Sequence, residues 1–316
     1  RGWYGNAMPP LGSGGPGAID GTPCAPVGTA ACATGMPMNT ESTNTGLSLK
    51  GDIKLSGEDL IRVGAELQRF QLDDWWPASG GGMAPNTFWN INDGERDRKV
   101  LFGDWEGRLA PQWLTVAGVR FERVTTDAGP VQAYNNAVAP ATTLVPAFNN
   151  RDRERTDNNW DWSLLTRYTV DPSLDVEFGL ARKVRSPSLY ERYSWFSRGM
   201  EMLMINWVGD GNGYIGDINL KPEKAHTLSA TFDWHAADRS WEVKATPFYT
   251  HVTDYIDAVR CPTSLGCACS VANLSGGNKF VYLQLANQSA RLYGLDLSGH
   301  MPLASTGFGE FGLQGL

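Results

Sequence analysis

Apolar and polar residues alternate over long stretches of this chain, and the connections between the stretches are short and long in turn. Leu228, Ala230, Phe232 and Trp234 interleave with Thr227, Ser229, Thr231 and Asp233. Such period-two spacing gives a strand one greasy face and one hydrogen-bonding face. Val243, Ala245, Pro247 and Tyr249 likewise oppose Glu242, Lys244, Thr246 and Thr250, with Phe248 and Val252 breaking the pattern. In 174–180, Leu174, Val176, Phe178 and Leu180 alternate with Asp175, Glu177 and Gly179, and Leu101, Trp105 and Leu109 oppose Asp104, Glu106 and Arg108.

The pattern predicts about ten strands, at roughly 47–55, 59–71, 98–109, 113–124, 160–169, 174–184, 226–234, 241–256 and 280–300, with another starting at 309. Most exceed the usual soluble strand of about 5–6 residues and suit the roughly 9–11 tilted residues that cross a bilayer. Ser56–Glu58, Ala110–Gln112, Asp171–Ser173 and Ala236–Ser240 are short turns, whereas 72–97, 125–159, 185–225 and 257–279 are long. Outer-membrane barrels combine short periplasmic turns with long extracellular loops. A secreted β-sandwich or propeller also alternates, but it accounts poorly for that asymmetry. The expected fold is therefore all-β, an antiparallel transmembrane β-barrel, with 1–46 as an extracellular loop and 47–316 carrying the strands of one domain.

Composition changes little in that picture. The net charge of −7, from 27 Lys+Arg against 34 Asp+Glu, argues against a nucleic-acid partner. Mean hydropathy is −0.31 and no apolar run approaches the length of a membrane helix, as expected when the lipid-facing residues are every second one. Ten strands with two unpaired edges leave backbone groups unsatisfied in hydrocarbon, so the chain is expected to be an internal piece of a larger barrel. No nucleophile elbow, zinc-protease helix or phosphate-cradling loop is present, and the sequence reads as a transporter instead of an enzyme. Glu106, Arg108, Arg120, Glu122, Asp175 and Glu177 read as a polar barrel interior and not as catalytic pairs.

One long connection is more specific. It contains Arg185-Ser186-Pro187-Ser188-Leu189-Tyr190-Glu191-Arg192-Tyr193, then Gly211-Asn212-Gly213-Tyr214, then Asn219-Leu220-Lys221-Pro222-Glu223-Lys224-Ala225. This order resembles the TonB-dependent receptor family, and Pro247 to Ile256 and Asn287 to Asp296 resemble its following strand pair. The Trp-rich stretches 73–77, 86–94 and 207–214 are most similar to the copper-receptor branch of that family. The resemblance implies a 22-stranded barrel of which about ten strands lie here, in the outer membrane of a Gram-negative bacterium and in contact with its lipid. It also implies an N-terminal plug and a TonB box that couples transport to TonB, ExbB and ExbD; neither is in this sequence. No prosthetic group is implied, and copper is the expected cargo. The rivals are an iron-siderophore or cobalamin receptor and, further off, a non-transporting outer-membrane barrel.

Seven of the eight methionines, Met8, Met36, Met38, Met83, Met200, Met202 and Met204, fall in expected loops, although methionine ordinarily belongs in cores. If 200–204 is extended, Met200, Met202 and Met204 share one side, and Met36 and Met38 offer a second pair. Thioethers favour Cu(I) over hard cations. The same residues could equally pack loop against loop. The family resemblance implies a His-x-Met pair on the barrel, which this sequence lacks; Met200-x-Met202 or Met36-x-Met38 would have to stand in. His226, His235, His251 and His300 read as surface residues. The five cysteines form two groups, Cys24 with Cys32, and Cys261 with Cys267 and Cys269, which suits disulfides at an oxidising cell surface. For an organic ligand, Trp75, Trp76, Trp89, Trp195 and Trp207 are the candidate contacts, while Trp105, Trp160, Trp162 and Trp234 suit an interfacial girdle.

Overall fold

The computed structural model describes residues 38–78, 84–195, 197, 201–202, 205, 207–208, 210, 212–260 and 282–315. They form β1 (Asn39–Lys54), β2 (Leu60–Trp76), β3 (Phe88–Ala110), β4 (Trp113–Asp127), α1 (Ala141–Asn149), β5 (Arg155–Asp171) and β6 (Leu174–Arg185). There follow α2 (Leu189–Tyr193), β7 (Gly213–Ile215), β8 (Glu223–His235), β9 (Glu242–Arg260), β10 (Tyr282–Thr306) and β11 (Gly309–Gly315). One 11-stranded sheet results, antiparallel in chain order from β1 to β11, except that the short β7 lies parallel to β10.

Each register row shares a face. Leu228 stands opposite Leu180 and Tyr249, and all three are more than two-fifths exposed. Five residues along and on the other face, Asp233 stands opposite Asp175 and Lys244 and is almost wholly buried. The sheet is thus inside-out relative to a soluble one, with apolar side chains outward and charges inward. Trp113 packs on Tyr168 with ring centroids 4.6 Å apart, and Phe121 on Trp160 at 4.9 Å, marking two outward aromatic levels. Roughly eight residues separate them along β4, which at a tilt of about 40° spans about 20 Å, close to the height of a hydrocarbon band.

Inside, opposite charges pair across strands: Arg62 with Glu106 at 2.6 Å, Arg98 with Glu122 at 2.7 Å and with Glu66 at 2.9 Å, and Arg167 Nε with Glu177 at 2.6 Å. The aromatic that broke the alternation on β9 has a packing reason. Phe248 faces inward over Gly294 on β10, where an added Cβ would stand 3.1 Å from the ring. Phe102 covers Gly64 of β2 in the same way. Each glycine lets a ring lie flat against the neighbouring strand.

All ten expected strands are present, and most run further toward the long-loop end than the alternation reached. β1 starts at Asn39, within the stretch expected as loop, and β3 starts at Phe88 instead of near 98. Backbone pairing continues past the membrane band, where outward residues turn polar and the hydrophobic period disappears. The long connections shorten accordingly and carry α1, α2 and β7, which the period-two pattern had no means of marking.

Candidate functional site

The long connections converge on one end of the sheet. Ser188 caps α2 by accepting from the Glu191 amide at 3.2 Å, and the Glu191 carboxylate accepts the Ser188 amide at 2.6 Å, a reciprocal capping box. Arg185 donates to both Glu191 oxygens at 2.9 and 3.0 Å and to Glu223 at 2.6 Å. Arg192, 1% exposed, donates to both oxygens of Asp157 at 2.9 Å, to Thr126 Oγ1 at 2.8 Å and to the Leu220 carbonyl at 3.0 Å. The Tyr193 hydroxyl lies 2.8 Å from the Arg153 carbonyl and 2.9 Å from Thr126 Oγ1. Asn287 on β10 brackets Lys221 through its amide and carbonyl. The motif residues therefore brace the loop 186–222 against β4, β5, β8 and β10.

Burial alone would raise the Glu191 carboxyl, but Arg185 and the Ser188 amide outweigh it and hold it below the ordinary glutamate value. Burial pushes the Tyr193 phenol up to about 12. A lowered carboxyl gives stability that is complete above its unfolded pKa of about 4.3 and is lost as pH falls through the folded value. The protection of amides over 186–222 relative to their intrinsic exchange rates is therefore expected to fall, in the intact parent protein, on acidification below about pH 4. Glu191→Gln should lower that protection already at pH 7, by about 1–3 kcal/mol of local stability.

Above the brace, Trp76, Phe88, Tyr134, Tyr193, Trp195 and Met202 belong to one buried cluster to which most of the converging connections contribute. Phe88 is its hub, 5.5 Å from Trp76 and 5.8 Å from both Tyr134 and Trp195. The Trp195 indole donates to the Trp89 carbonyl at 2.8 Å. The Tyr134 hydroxyl is buried with no hydrogen-bond partner among the described residues, and burial raises its pKa far above the usual phenol value. Beside the cluster, a cavity of about 380 Å³ is lined by Phe148, Arg151, Arg192, Ser194, Trp195 and Asp217, among others. Ser194 Oγ and Arg192 Nε are buried and have no hydrogen-bond partner among the described residues. The volume and mixed lining are those of a small-molecule pocket.

The residues singled out by sequence fall around this cluster. Trp76 is 2% exposed within it, Trp75 packs on Trp89 with ring centroids 5.3 Å apart and planes tilted by 36°, and Trp207 packs against it while stacking on Tyr190 at 6.0 Å. Met38 packs on the cluster and Met202, 1% exposed, is part of it. Glu201 and Met202 are helical, so the extended geometry assumed for 200–204 does not hold at Met202. Successive alternate residues lie about 200° apart around a helix, not on one side. Met36, Met200, Met204, Cys24, Cys32, Cys261 and Cys267 lie outside the described residues. Of the girdle candidates, Trp160, Trp162 and Trp234 are 52%, 42% and 40% exposed on the outward face, whereas the Trp105 indole donates to Asp59.

The sequence reading missed a second cluster at the short-turn end. Asp175, Asp233 and His235 bring their ligand atoms within 4.8 Å of one another, all buried. Two cations face it: Arg239 from the β8–β9 turn reaches Asp175 at 2.9 Å, Asp233 at 3.3 Å and Glu242 at 2.8 Å, and Lys244 reaches Glu242 at 2.8 Å and Asp233 at 3.7 Å. The φ of 55° at Arg239 holds the guanidinium over the carboxylates. The arrangement locks a turn, and nothing in the spacing of these residues along the chain advertised it.

An inside-out antiparallel sheet with an apolar band outside, ion pairs inside and a folded cap of long loops defines a membrane-spanning β-barrel wall. The chain belongs to the TonB-dependent receptor-like β-barrel family, whose sequence model matches residues 9–315. That family is one of outer-membrane receptors and transporters. No curated protein matches in sequence. Among solved structures, the copper transporter OprC is similar with a TM-score of 0.58 and 17% identity, over 85% of this chain and 36% of that one. The FrpB iron transporter from Neisseria meningitidis (F3-3 variant) gives 0.54 and 12%, over 85% and 34%. A double mutant of the Serratia marcescens hemophore receptor HasR, in complex with its hemophore HasA and heme, gives 0.55 and 13%, over 84% and 40%. The chain thus spans between about a third and two-fifths of the length of these proteins.

Proposed function

We propose that the protein containing this chain is an outer-membrane importer energised through TonB, ExbB and ExbD, and that its cargo is copper. The observation that carries the copper reading is the meeting of soft donors at the long-loop end: Met38 and Met202 come from connections more than 160 residues apart and join one cluster. Thioethers select Cu(I), and Met36, Met200 and Met204, next to these two in sequence, are the further candidate donors. The copper transporter among the similar structures supports the same reading, at an identity that fixes the fold alone.

The test is elemental mass spectrometry on the full-length parent purified after exposure to copper, iron and zinc together. Near-stoichiometric copper is expected. A variant with Met38 and Met202 changed to Leu keeps the packing volume and removes the sulfur, and it should lose most of the metal while the loops stay folded. Metal-free wild-type protein would overturn the reading.

A second reading rests on the cavity. At about 380 Å³ it is large enough for an organic chelate, and Arg151 with the unpartnered Ser194 hydroxyl supplies polar contacts. Binding of a ferric chelate but not of free copper by the same preparation would favour it.

A further inference from the structure

The short-turn end holds two carboxylates and an imidazole that transport of a cargo through the loops does not use. Asp175 on β6 and Asp233 on β8 are register partners, and His235, two residues further along β8, shares their inward face. Extended backbone alone therefore sets the three side by side. One ligand atom from each lies within 4.8 Å of the other two, and the side chains are between 2% and 8% exposed.

The histidine is oriented as a ligand. Its Nδ1 lies 2.9 Å from the Ala236 carbonyl, which can only accept, so Nδ1 carries the hydrogen and Nε2 of the neutral ring keeps its lone pair. Metal-bound histidines are fixed by this same second hydrogen bond. Nε2 stands 3.5 Å from Asp175 Oδ2 and 3.4 Å from an Arg239 nitrogen. Two ligands bound about 2.05 Å from one tetrahedral ion are about 3.4 Å apart, so the imidazole and the carboxylate already have the spacing of a shared cation. Asp233 gives an independent sign. Its Oδ1 is buried and has no hydrogen-bond partner among the described residues.

Charge points the same way. Asp175, Asp233 and Glu242 face two cations, Arg239 and Lys244, while Arg167 nearby is taken up by Glu177 at 2.6 Å. One negative charge of the group is unmatched. Lys244 is closer to Glu242, at 2.8 Å, than to Asp233, at 3.7 Å, so Arg239 is the cation that bridges both aspartates. Its side chain is 45% exposed and stands on a turn, with open solvent to move into, whereas its three partners in the cluster are held by strands.

We propose that Asp175, Asp233 and His235 form a binding site for a divalent metal of the zinc class, in which the ion takes the place of the Arg239 guanidinium. One imidazole nitrogen and two carboxylate oxygens suit Zn2+, with the fourth position left to water. The site is independent of the copper reading, whose thioether donors lie at the other end of the barrel. The His235 amide donates to the Ser173 carbonyl at 3.0 Å, so the β5–β6 and β8–β9 turns are already joined and the ion would tighten that junction.

The experiment is calorimetric titration of Zn2+ into the full-length parent, purified in detergent and stripped with a chelator, as wild type, as Arg239→Gln, and as Arg239→Gln with His235→Asn. Clearing the competing charge should tighten zinc binding by at least about tenfold. Removing the imidazole as well should abolish that gain. Zinc bound no more tightly by Arg239→Gln than by wild type, or a gain that survives in the double variant, would overturn the proposal and leave Arg239 as an ion-pair lock only. Should the variants fail to fold, amide exchange of the stripped wild type decides. Millimolar Zn2+ should raise protection over 172–175 and 234–242, and millimolar Mg2+, which gives up its waters reluctantly, should not. No rise with zinc, or an equal rise with Mg2+, would overturn the assignment.

Discussion

Arg192→Ala is expected to release the loop 186–222 while leaving the barrel strands in place. The guanidinium is 1% exposed and donates to Asp157, Thr126 and the Leu220 carbonyl, so its removal strands a buried carboxylate and a buried carbonyl at once. Breaking a buried pair by deleting one partner costs about 3–5 kcal/mol, more than deleting the pair together. The loss falls on the loop because the strand ladders β4–β5 and β5–β6 do not pass through Arg192. Amide exchange and limited proteolysis of the detergent-purified parent should show 186–222 unprotected, and the apolar cluster loosened through Tyr193 and Trp195, with strand protection intact. Arg192→Ala together with Asp157→Ala should recover part of the loss, since the orphaned charge is gone. Unchanged loop protection in the single variant would mean that the apolar cluster alone holds the cap.

Such a result bears on what the motif is for. A loop that carries a ligand site must be held in place without filling the site, and here the polar brace lies between the barrel rim and the cavity. Arg192 and Ser194 belong to both: one side of the segment is tied down and the other lines the pocket. The chemistry of the segment is thus positional on one side, and its other side is left to line the cavity.

Strands were legible where a physical period exists. Between Leu174 and Leu180 or Leu228 and Trp234 the two faces meet different solvents, lipid and lumen, so every second residue is chosen alike. Beyond the band both faces meet water or loops, and the strand continues under backbone pairing alone, as in Phe88 to Asp97 of β3. The brace was readable only as a motif, since Arg192 reaches Asp157 across 35 residues and Thr126 across 66. The loop cluster was half legible. Trp76, Trp89, Trp195, Trp207 and Met202 stood out as chemistry out of place in loops, yet Phe88 and Tyr134, which pack with them, look ordinary in sequence. The error over Met202 has the same root: period-two spacing has meaning only in extended backbone, and a short helical turn carries no periodic signal long enough to read.

Leu164→Arg and Ser163→Arg, one residue apart on β5, are expected to differ by several-fold in cost. Leu164 faces outward at mid-band, opposite Ala117 and Leu180, and is 40% exposed to what the fold makes lipid. A charged residue on that face at the bilayer midplane costs about 2–4 kcal/mol. Ser163 faces the lumen, opposite Gly118 and Ala181, with Asp104 in the same row, so an arginine there meets a carboxylate and water. Its cost should stay below about 1 kcal/mol, as for other charged residues in solvated ion-paired surroundings. Asn158→Arg, one outward position beyond the Phe121–Trp160 pair at the long-loop edge of the apolar band, completes a depth series, because the penalty falls to about 0–1 kcal/mol near the interface. Equilibrium unfolding of the full-length parent in vesicles reads all three. Were the exposed apolar face wetted by water instead of lipid, Leu164→Arg would add a charge to a solvated surface at little cost and its excess over Ser163→Arg would vanish. The ordering Leu164 far above Asn158 and Ser163 therefore tests the membrane-spanning assignment itself, with no assumption about cargo, plug or TonB.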